Sequence, residues 1–319
     1  MIKKKVVLIR LDKIGDLICT LPVDQILDES LYDITWIIQK GLSGLVDLGL
    51  KKRKYLELDK KNPKEAAKKL KKFLNEFKPD IAISFQGPWW VNYELFKARV
   101  PVRGGVYSQW HSFLFLNQGL RQKRSKSLQH EFDYNKDLLL KTFLLKDDKR
   151  FYYFEILKPQ EIEVLQKFNL QPKKYIVVHP GMMGSALNWS QAQYIDFMNK
   201  QIDEKKIICI TGTEADDIYL TDIKKKFFNH SQVRWLQNQL NLKQLVEILA
   251  ESEWVLAPST GVAHLAASVG ATVHAIYSPV LVHHPRRWAP RGHNVLVHVP
   301  ENVQPGEEKK SMLQLKIEV

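Results

Sequence analysis

Three stretches of this 319-residue chain carry residue types that can do chemistry, and each follows an apolar run. The first is Arg10-Leu11-Asp12-Lys13-Ile14-Gly15-Asp16. Gly15 permits a tight turn or the close approach of a substrate. Asp16 has two readings: an N-cap for the helix that follows, or a general base toward a sugar hydroxyl. The second stretch is His179-Pro180-Gly181-Met182-Met183-Gly184-Ser185-Ala186-Leu187-Asn188-Trp189-Ser190. Its glycines and serine offer backbone N–H groups and a hydroxyl to a phosphate. No Gly-Lys-Ser/Thr follows, so it is not a Walker loop. The third is Ala257-Pro258-Ser259-Thr260-Gly261-Val262-Ala263-His264. Ser259 and Thr260 are good helix caps, and a helix N-terminus also binds anions such as a diphosphate. His264 falls one turn into that helix, either aimed at the same place or buried as a structural side chain.

Such loops need elements that bring them together. Val6 to Arg10 reads as a first strand, residues 17–27 as a helix, and Ile34-Thr35-Trp36-Ile37-Ile38 as a second strand. A basic helix over 62–77 leads to a strand at 81–85, a short strand or turn at 102–106 and a helix at 131–145. After a short helix at 159–168 the rhythm restarts. Strands are expected at 175–179, 206–210, 254–257 and 272–277, with helices at 191–202, 216–228, 242–250 and 261–269. Strands alternating with helices imply α/β architecture with doubly wound parallel sheets. The expected organisation is an N-terminal domain over residues 1–158, a junction at 159–172 and a C-terminal domain over 173–319. The two face each other across a cleft, and ligands collect outside the carboxyl ends of the strands.

Hydrophobic residues make up 45% of the chain and charged residues 26%, which is ordinary globular composition. No apolar run is long enough to span a bilayer. The basic start Lys3-Lys4-Lys5 is followed by an apolar stretch that Arg10, Asp12 and Lys13 interrupt, so a strand is expected there rather than a signal peptide, and a cytoplasmic location with it. Cys19 and Cys209 lie far apart without metal-like spacing, and both are expected in the core. The net charge of +13 is concentrated partly in the helix carrying Lys64, Lys68, Lys71 and Lys72. Its cationic side is a solvated face, a contact to anionic membrane lipid or lipopolysaccharide, or a nucleic-acid surface. No nucleic-acid-binding motif accompanies it, so that partner ranks last.

Taken in order, these motifs resemble the heptosyltransferases of glycosyltransferase family 9. The opening loop with Thr20-Leu21-Pro22 is similar to that family's N-terminal signature, and His130-Glu131 with Tyr134-Asn135 to its mid-chain pattern. His179-Pro180-Gly181, Trp189, Thr211-Gly212, Ser259-Thr260-Gly261 through His264, and Arg287-Trp288-Ala289-Pro290 with Gly292 follow in the family's order. The resemblance implies a GT-B architecture of two Rossmann-like domains and an inverting, metal-independent sugar transfer with no cofactor beyond the nucleotide-sugar. The N-terminal domain would take an acceptor such as growing lipopolysaccharide core, with Lys13 and Gly15 beside it and Asp16 as the base. The C-terminal domain would take an ADP-linked or other nucleotide-sugar at Met183, Gly184, Ser185, Asp216, Ser259, Thr260, Gly261 and His264. The departing diphosphate would have helix N–H groups and His179, His264 and Arg286 or Arg287 nearby. Two positions depart from the family: Leu187 stands where it has a lysine, and Ser259 where it has an aspartate. Both bear on which donor is used. A nucleotide-sugar epimerase or hydrolase and a non-catalytic sugar-nucleotide or glycan-binding module remain the alternatives. An oxidoreductase is disfavoured because no Gly-x-Gly-x-x-Gly follows the first strand.

Overall fold

Val6, Val7, Leu8 and Ile9 are completely buried, which places their strand in the middle of a sheet covered on both faces. The computed structural model describes residues 2–147, 149–158, 163–182, 184 and 186–318. Its first sheet comprises β1 (Lys4–Arg10), β2 (Tyr32–Gln39), β3 (Lys54–Leu58), β4 (Ile81–Gln86), β5 (Val102–Val106) and β6 (Gln118–Leu120). The order is β3-β2-β1-β4-β5-β6, and every neighbouring pair is parallel. The second sheet comprises β7 (Tyr175–Val178), β8 (Ile207–Ile210), β9 (Val233–Trp235), β10 (Val255–Pro258), β11 (Val273–Ile276) and β12 (Val295–His298). Read from its far edge it is β9-β8-β7-β10-β11-β12, again all parallel and the same topology. Each sheet therefore reverses its winding once, at β1/β4 and at β7/β10, and there a crevice opens beyond the strand ends.

By contact the chain divides into two units, Met1–Arg124 with Leu128–Phe154, and Ser125–Ser127 with Glu155–Val319. Each is a Rossmann-like domain with its own core. In the first, Val7, Ile9 and Ile37 meet Leu70, Leu74 and Leu95. In the second, Ile176, Val178 and Ile208 meet Phe197, Leu220 and Leu256. Cys19 and Cys209 are buried. No helix among the described residues is long and apolar enough to cross a membrane.

Several elements differ from the sequence reading for identifiable reasons. Residues 17–27 form a short helix, Ile14–Ile18, and then a 3-10 segment, Leu21–Ile26, because Pro22 cannot donate to an α-helical bond. The short helix expected at 159–168 lies partly outside the described residues and is helical at Glu163–Lys167. Strands β3, β6, β9 and β12 were not anticipated. β3 is a five-residue stretch whose apolar residues are interrupted by Lys54 and Glu57, and β12 is an edge strand whose middle residues are exposed.

The basic helix Pro63–Phe77 starts with proline in its first turn, where no N–H is needed. Ala66, Leu70 and Leu74 are buried, while Lys64, Lys68, Lys71 and Lys72 are exposed. Its place in the fold thus rests on the apolar stripe. Leu70→Ala should cost about 2–5 kcal/mol in denaturant unfolding, whereas Lys71→Gln should stay within about 0.5 kcal/mol.

Candidate functional site

At the end of β1 the pairing with β4 slips by one residue, Ile9 facing Ser84 and Arg10 facing Gln86. A bulge at that point re-aims the side chain that follows. Arg10 is buried to 1% exposure, a position an arginine holds only with partners. Its Nη2 donates to Asp16 Oδ1 at 2.8 Å and its Nη1 to Glu131 Oε1 at 3.2 Å. Its Nε lies 3.0 Å from Asp12 Oδ2, an ion pair not aligned as a hydrogen bond. Asp12 is also paired with Lys60 at 2.9 Å.

From Arg10 a ring of polar contacts closes on itself. Arg124 Nη1 donates to Glu131 Oε1 at 2.6 Å, and Arg124 Nη2 to Asn135 Oδ1 at 3.0 Å. Asn135 Nδ2 donates to Thr20 Oγ1 at 3.0 Å, and that hydroxyl donates to the Asp16 carbonyl at 2.7 Å. Glu131, Asn135 and Thr20 are completely buried. Glu131 and Asn135 lie four residues apart on helix Glu131–Phe143, hence on one face. Of the ring, Asp16 keeps 24% of its side chain exposed, so its carboxylate is held from behind and open in front.

Asp16 does not cap its helix. The N-cap is Lys13, in extended conformation, and Asp16 sits in the first turn with its carboxylate on Arg10. Lys13 is exposed and Gly15 half-buried beside it. Burial pushes the Asp16 carboxyl up, Arg10 pulls it down, and Asp12 and Glu131 push it up again, leaving it above the ordinary aspartate value. For Arg10, burial works against the charge, but Asp16, Glu131 and Asp12 outweigh it and hold the guanidinium protonated. A carboxylate with raised proton affinity, partly open to solvent, is equipped to accept a proton.

The second unit assembles a different chemistry at β7/β10. His179 N donates to Leu256 O at 2.9 Å, and its Nδ1 lies 3.0 Å from Thr211 Oγ1. A Cβ on Gly181 would fall 2.2 Å from the Asp216 carboxyl, so only glycine fits there. Asp216 is buried, and its Oδ2 accepts from Thr213 N at 2.8 Å and Thr213 Oγ1 at 2.9 Å. Gly184 has φ +68°, which favours glycine. Met183 and Ser185 lie outside the described residues. Leu187 packs against the apolar core, so its position contributes no cation.

Thr260 is the N-cap of helix Gly261–Ser268, yet its side chain makes no capping bond. Its Oγ1 is buried with no partner among the described residues, beside the free N–H groups of that helix. An unmet buried hydroxyl costs about 1–3 kcal/mol, and a ligand oxygen at the helix tip would satisfy it. Ser259 is half-buried. His264 is buried, and burial pushes it down to about 4. His179 is pushed down to about 4 by burial, against the pull of Asp216. Both are therefore neutral at pH 7. Among the cations expected there, Arg286 is exposed, and Arg287 stacks 4.4 Å from the Trp288 ring centroid. Among the described residues no group of three or more His, Cys, Asp or Glu is arranged to hold a metal ion.

The motif search named Asp16 but missed Arg124, which lies in a lysine- and arginine-rich stretch without pattern. The depth of Arg10 was equally illegible, although its presence between an apolar strand and two aspartates was a usable signal. Two outcomes follow. Arg10→Met leaves Asp16 without its counter-charge and should destabilise by about 3–5 kcal/mol in denaturant unfolding; a loss below about 1 kcal/mol, ordinary for a surface change, would refute a buried anchor. For the histidines, folded and unfolded forms are both neutral above the unfolded value of about 6.5. Between there and about 4 the unfolded chain takes up protons that His179 and His264 refuse, so stability falls as pH drops. Melting temperature should decline from pH 7 to pH 4.5, more shallowly in His264→Gln.

Comparison with known proteins bears on the fold and the family. A Haemophilus influenzae protein described provisionally as a glycosyltransferase is 27% identical over 98% of this chain and 93% of its own length. A family 9 glycosyltransferase structure from Veillonella parvula superposes with TM-score 0.79 at 17% identity, covering 97% of this chain and 91% of that one. The ADP-heptose lipopolysaccharide heptosyltransferase II of Escherichia coli gives 0.75 at 16% identity, over 92% and 89%. These structural likenesses show the shared fold, two Rossmann-like domains of GT-B type. The model of glycosyltransferase family 9 (heptosyltransferase) matches residues 67–316, and the chain belongs to that family of glycosyltransferases.

Proposed function

We propose that this glycosyltransferase moves a heptose or related sugar from a nucleotide-sugar, ADP-linked, to a hydroxyl of lipopolysaccharide core or another cell-surface glycan. The reaction is a single displacement with inversion, metal-independent and cytoplasmic. The acceptor oxygen attacks the anomeric carbon while Asp16 takes its proton, and the bond from that carbon to the diphosphate oxygen breaks. The observation that carries this reading is the Asp16 carboxylate, anchored by Arg10 at 2.8 Å, raised in proton affinity and open on one side at the β1/β4 crevice. Lys13 and Gly15, on the same loop, would line the acceptor.

On the donor side the leaving diphosphate would meet the N–H groups of helix Gly261–Ser268, the Thr260 hydroxyl, Ser259 and the loop of Met183, Gly184 and Ser185. The buried Thr260 Oγ1 without a partner among the described residues supports that assignment. Asp216 would act through the loop, since its fit against Gly181 fixes the backbone that meets the phosphates. His264 would donate as a neutral imidazole. The ADP-heptose in the name of the Escherichia coli neighbour supports an ADP-linked donor. Leu187 and Ser259 make this donor pocket less charged than the family pattern, which favours a sugar or nucleotide variant of that donor.

Asp16→Asn keeps the shape and the acceptor atom for Arg10 but cannot take a proton. Its kcat should fall by about 10²–10⁴, with ADP still raising the melting temperature as in the unaltered protein. Turnover within a few-fold of the parent would contradict the assignment. Donor hydrolysis at the same rate with and without acceptor would contradict transfer itself.

A further inference from the structure

The most unusual surface of the first unit lies on helices Trp89–Lys97 and Trp110–Phe115. Trp89, Phe96, Trp110, Phe113 and Leu114 are 51, 46, 64, 49 and 63% exposed. Large apolar side chains exposed together mark an interaction surface. The rings form a continuous network: Trp89 lies 6.0 Å from Tyr93, Tyr93 5.4 Å from Phe115, and Phe115 5.5 Å from Phe96 and 6.3 Å from Trp110. Tyr107 stacks on Phe113 at 5.0 Å.

Cations are interleaved with these rings. Lys97 lies 5.3 Å from the Tyr93 centroid and Arg121 5.3 Å from that of Phe113. Residues 89–123 carry Lys97, Arg99, Arg103, Arg121 and Lys123 against a single acid, Glu94, which is buried. The lysine-rich helix Pro63–Phe77 packs beside Trp89–Lys97. The crossovers from β3 to β4, β5 and β6 all advance in one direction across the sheet, so right-handed connection puts these helices on one face.

We propose that this face is a docking surface for an anionic lipid bilayer. Amphipathic tryptophan and tyrosine rings settle at headgroup depth, phenylalanine and leucine reach the acyl boundary, and the cations pair with lipid phosphate. A symmetric contact between two copies would set the same cations against one another. The helices start directly after β4 and β5, at the sheet edge where the Asp16 loop leaves β1, so docking brings that edge toward a lipid-carried acceptor. The inference deepens the acceptor reading above. Its test uses no donor, so its failure leaves the transfer reaction standing.

The test is co-flotation of the full-length protein with phosphatidylglycerol–phosphatidylcholine vesicles and with phosphatidylcholine alone, at low and high salt. The unaltered protein should float with the anionic vesicles and release with salt. The triple variant Trp110→Ser, Phe113→Ser, Leu114→Ser should lose about tenfold or more of that binding at an unchanged melting temperature. In the unaltered protein, brominated lipids should quench tryptophan fluorescence, and Trp110→Phe, which preserves the ring, should remove part of that quenching. No flotation of the unaltered protein, a triple variant that binds equally well, or a dimer that the triple variant converts to monomer would each overturn the proposal.

Discussion

One guanidinium sits at the centre of the first unit with almost no access to water, and three carboxylates surround it. The electrostatics of that arrangement govern what Asp16 can be. Without Arg10, burial and two neighbouring carboxylates would drive Asp16 toward its neutral form. Without the burial and the neighbours, Arg10 alone would hold it below the ordinary aspartate value, a weaker base still. The balance of these effects leaves a group with raised affinity for a proton. Buried ion pairs are seldom retained for stability, since apolar substitutes often serve as well. Here the second arginine, Arg124, shares Glu131 with Arg10, and the path through Asn135 and Thr20 returns to the Asp16 carbonyl. Both ends of the Asp16 residue, main chain and side chain, are thereby tied to one network, which on the proposed reading would hold the base in place.

The second unit uses the same strand order but has no buried arginine cluster at the corresponding strand ends among the described residues. Its histidines His179 and His264 are neutral through burial, Leu187 packs against the core, and the tip of helix Gly261–Ser268 presents N–H groups beside a buried Thr260 hydroxyl without a partner among the described residues. On the proposed reading the two sheets divide the work: proton transfer at β1/β4 and phosphate stabilisation at β7/β10. Fixed dipoles suit a charge that develops on a leaving group, because they need no reorganisation as it forms.

Much of this was legible in sequence because central strands of parallel sheets are unbroken apolar runs followed by loops that must carry function. β1, β4, β7 and β10 have that pattern, and the candidate loops follow three of them. The edge strands β3 and β12 lack it: Lys54 and Glu57 break up the first, and the middle residues of the second are exposed. Asp16 was recognisable by position, but its partner could not be read, because the ring joins residues up to 121 positions apart. Thr260 was foreseen as a helix cap; that its hydroxyl has no partner among the described residues is visible only in three dimensions. The charge state of the histidines is hidden for a related reason: it is set by burial, which sequence conveys weakly for isolated polar residues.

The account stands on the state of one carboxyl group. Carbon-13 NMR titration of the Asp16 side chain, alongside the pH profile of kcat/KM, measures it directly. Protonation removes the base, so the rate must fall as pH drops through the Asp16 pKa. A single apparent value, above that of an ordinary aspartate and shared by the NMR transition and the acid limb, is the result the account predicts. An Asp16 that titrates at or below the ordinary value, or an acid limb unrelated to its titration, would contradict it.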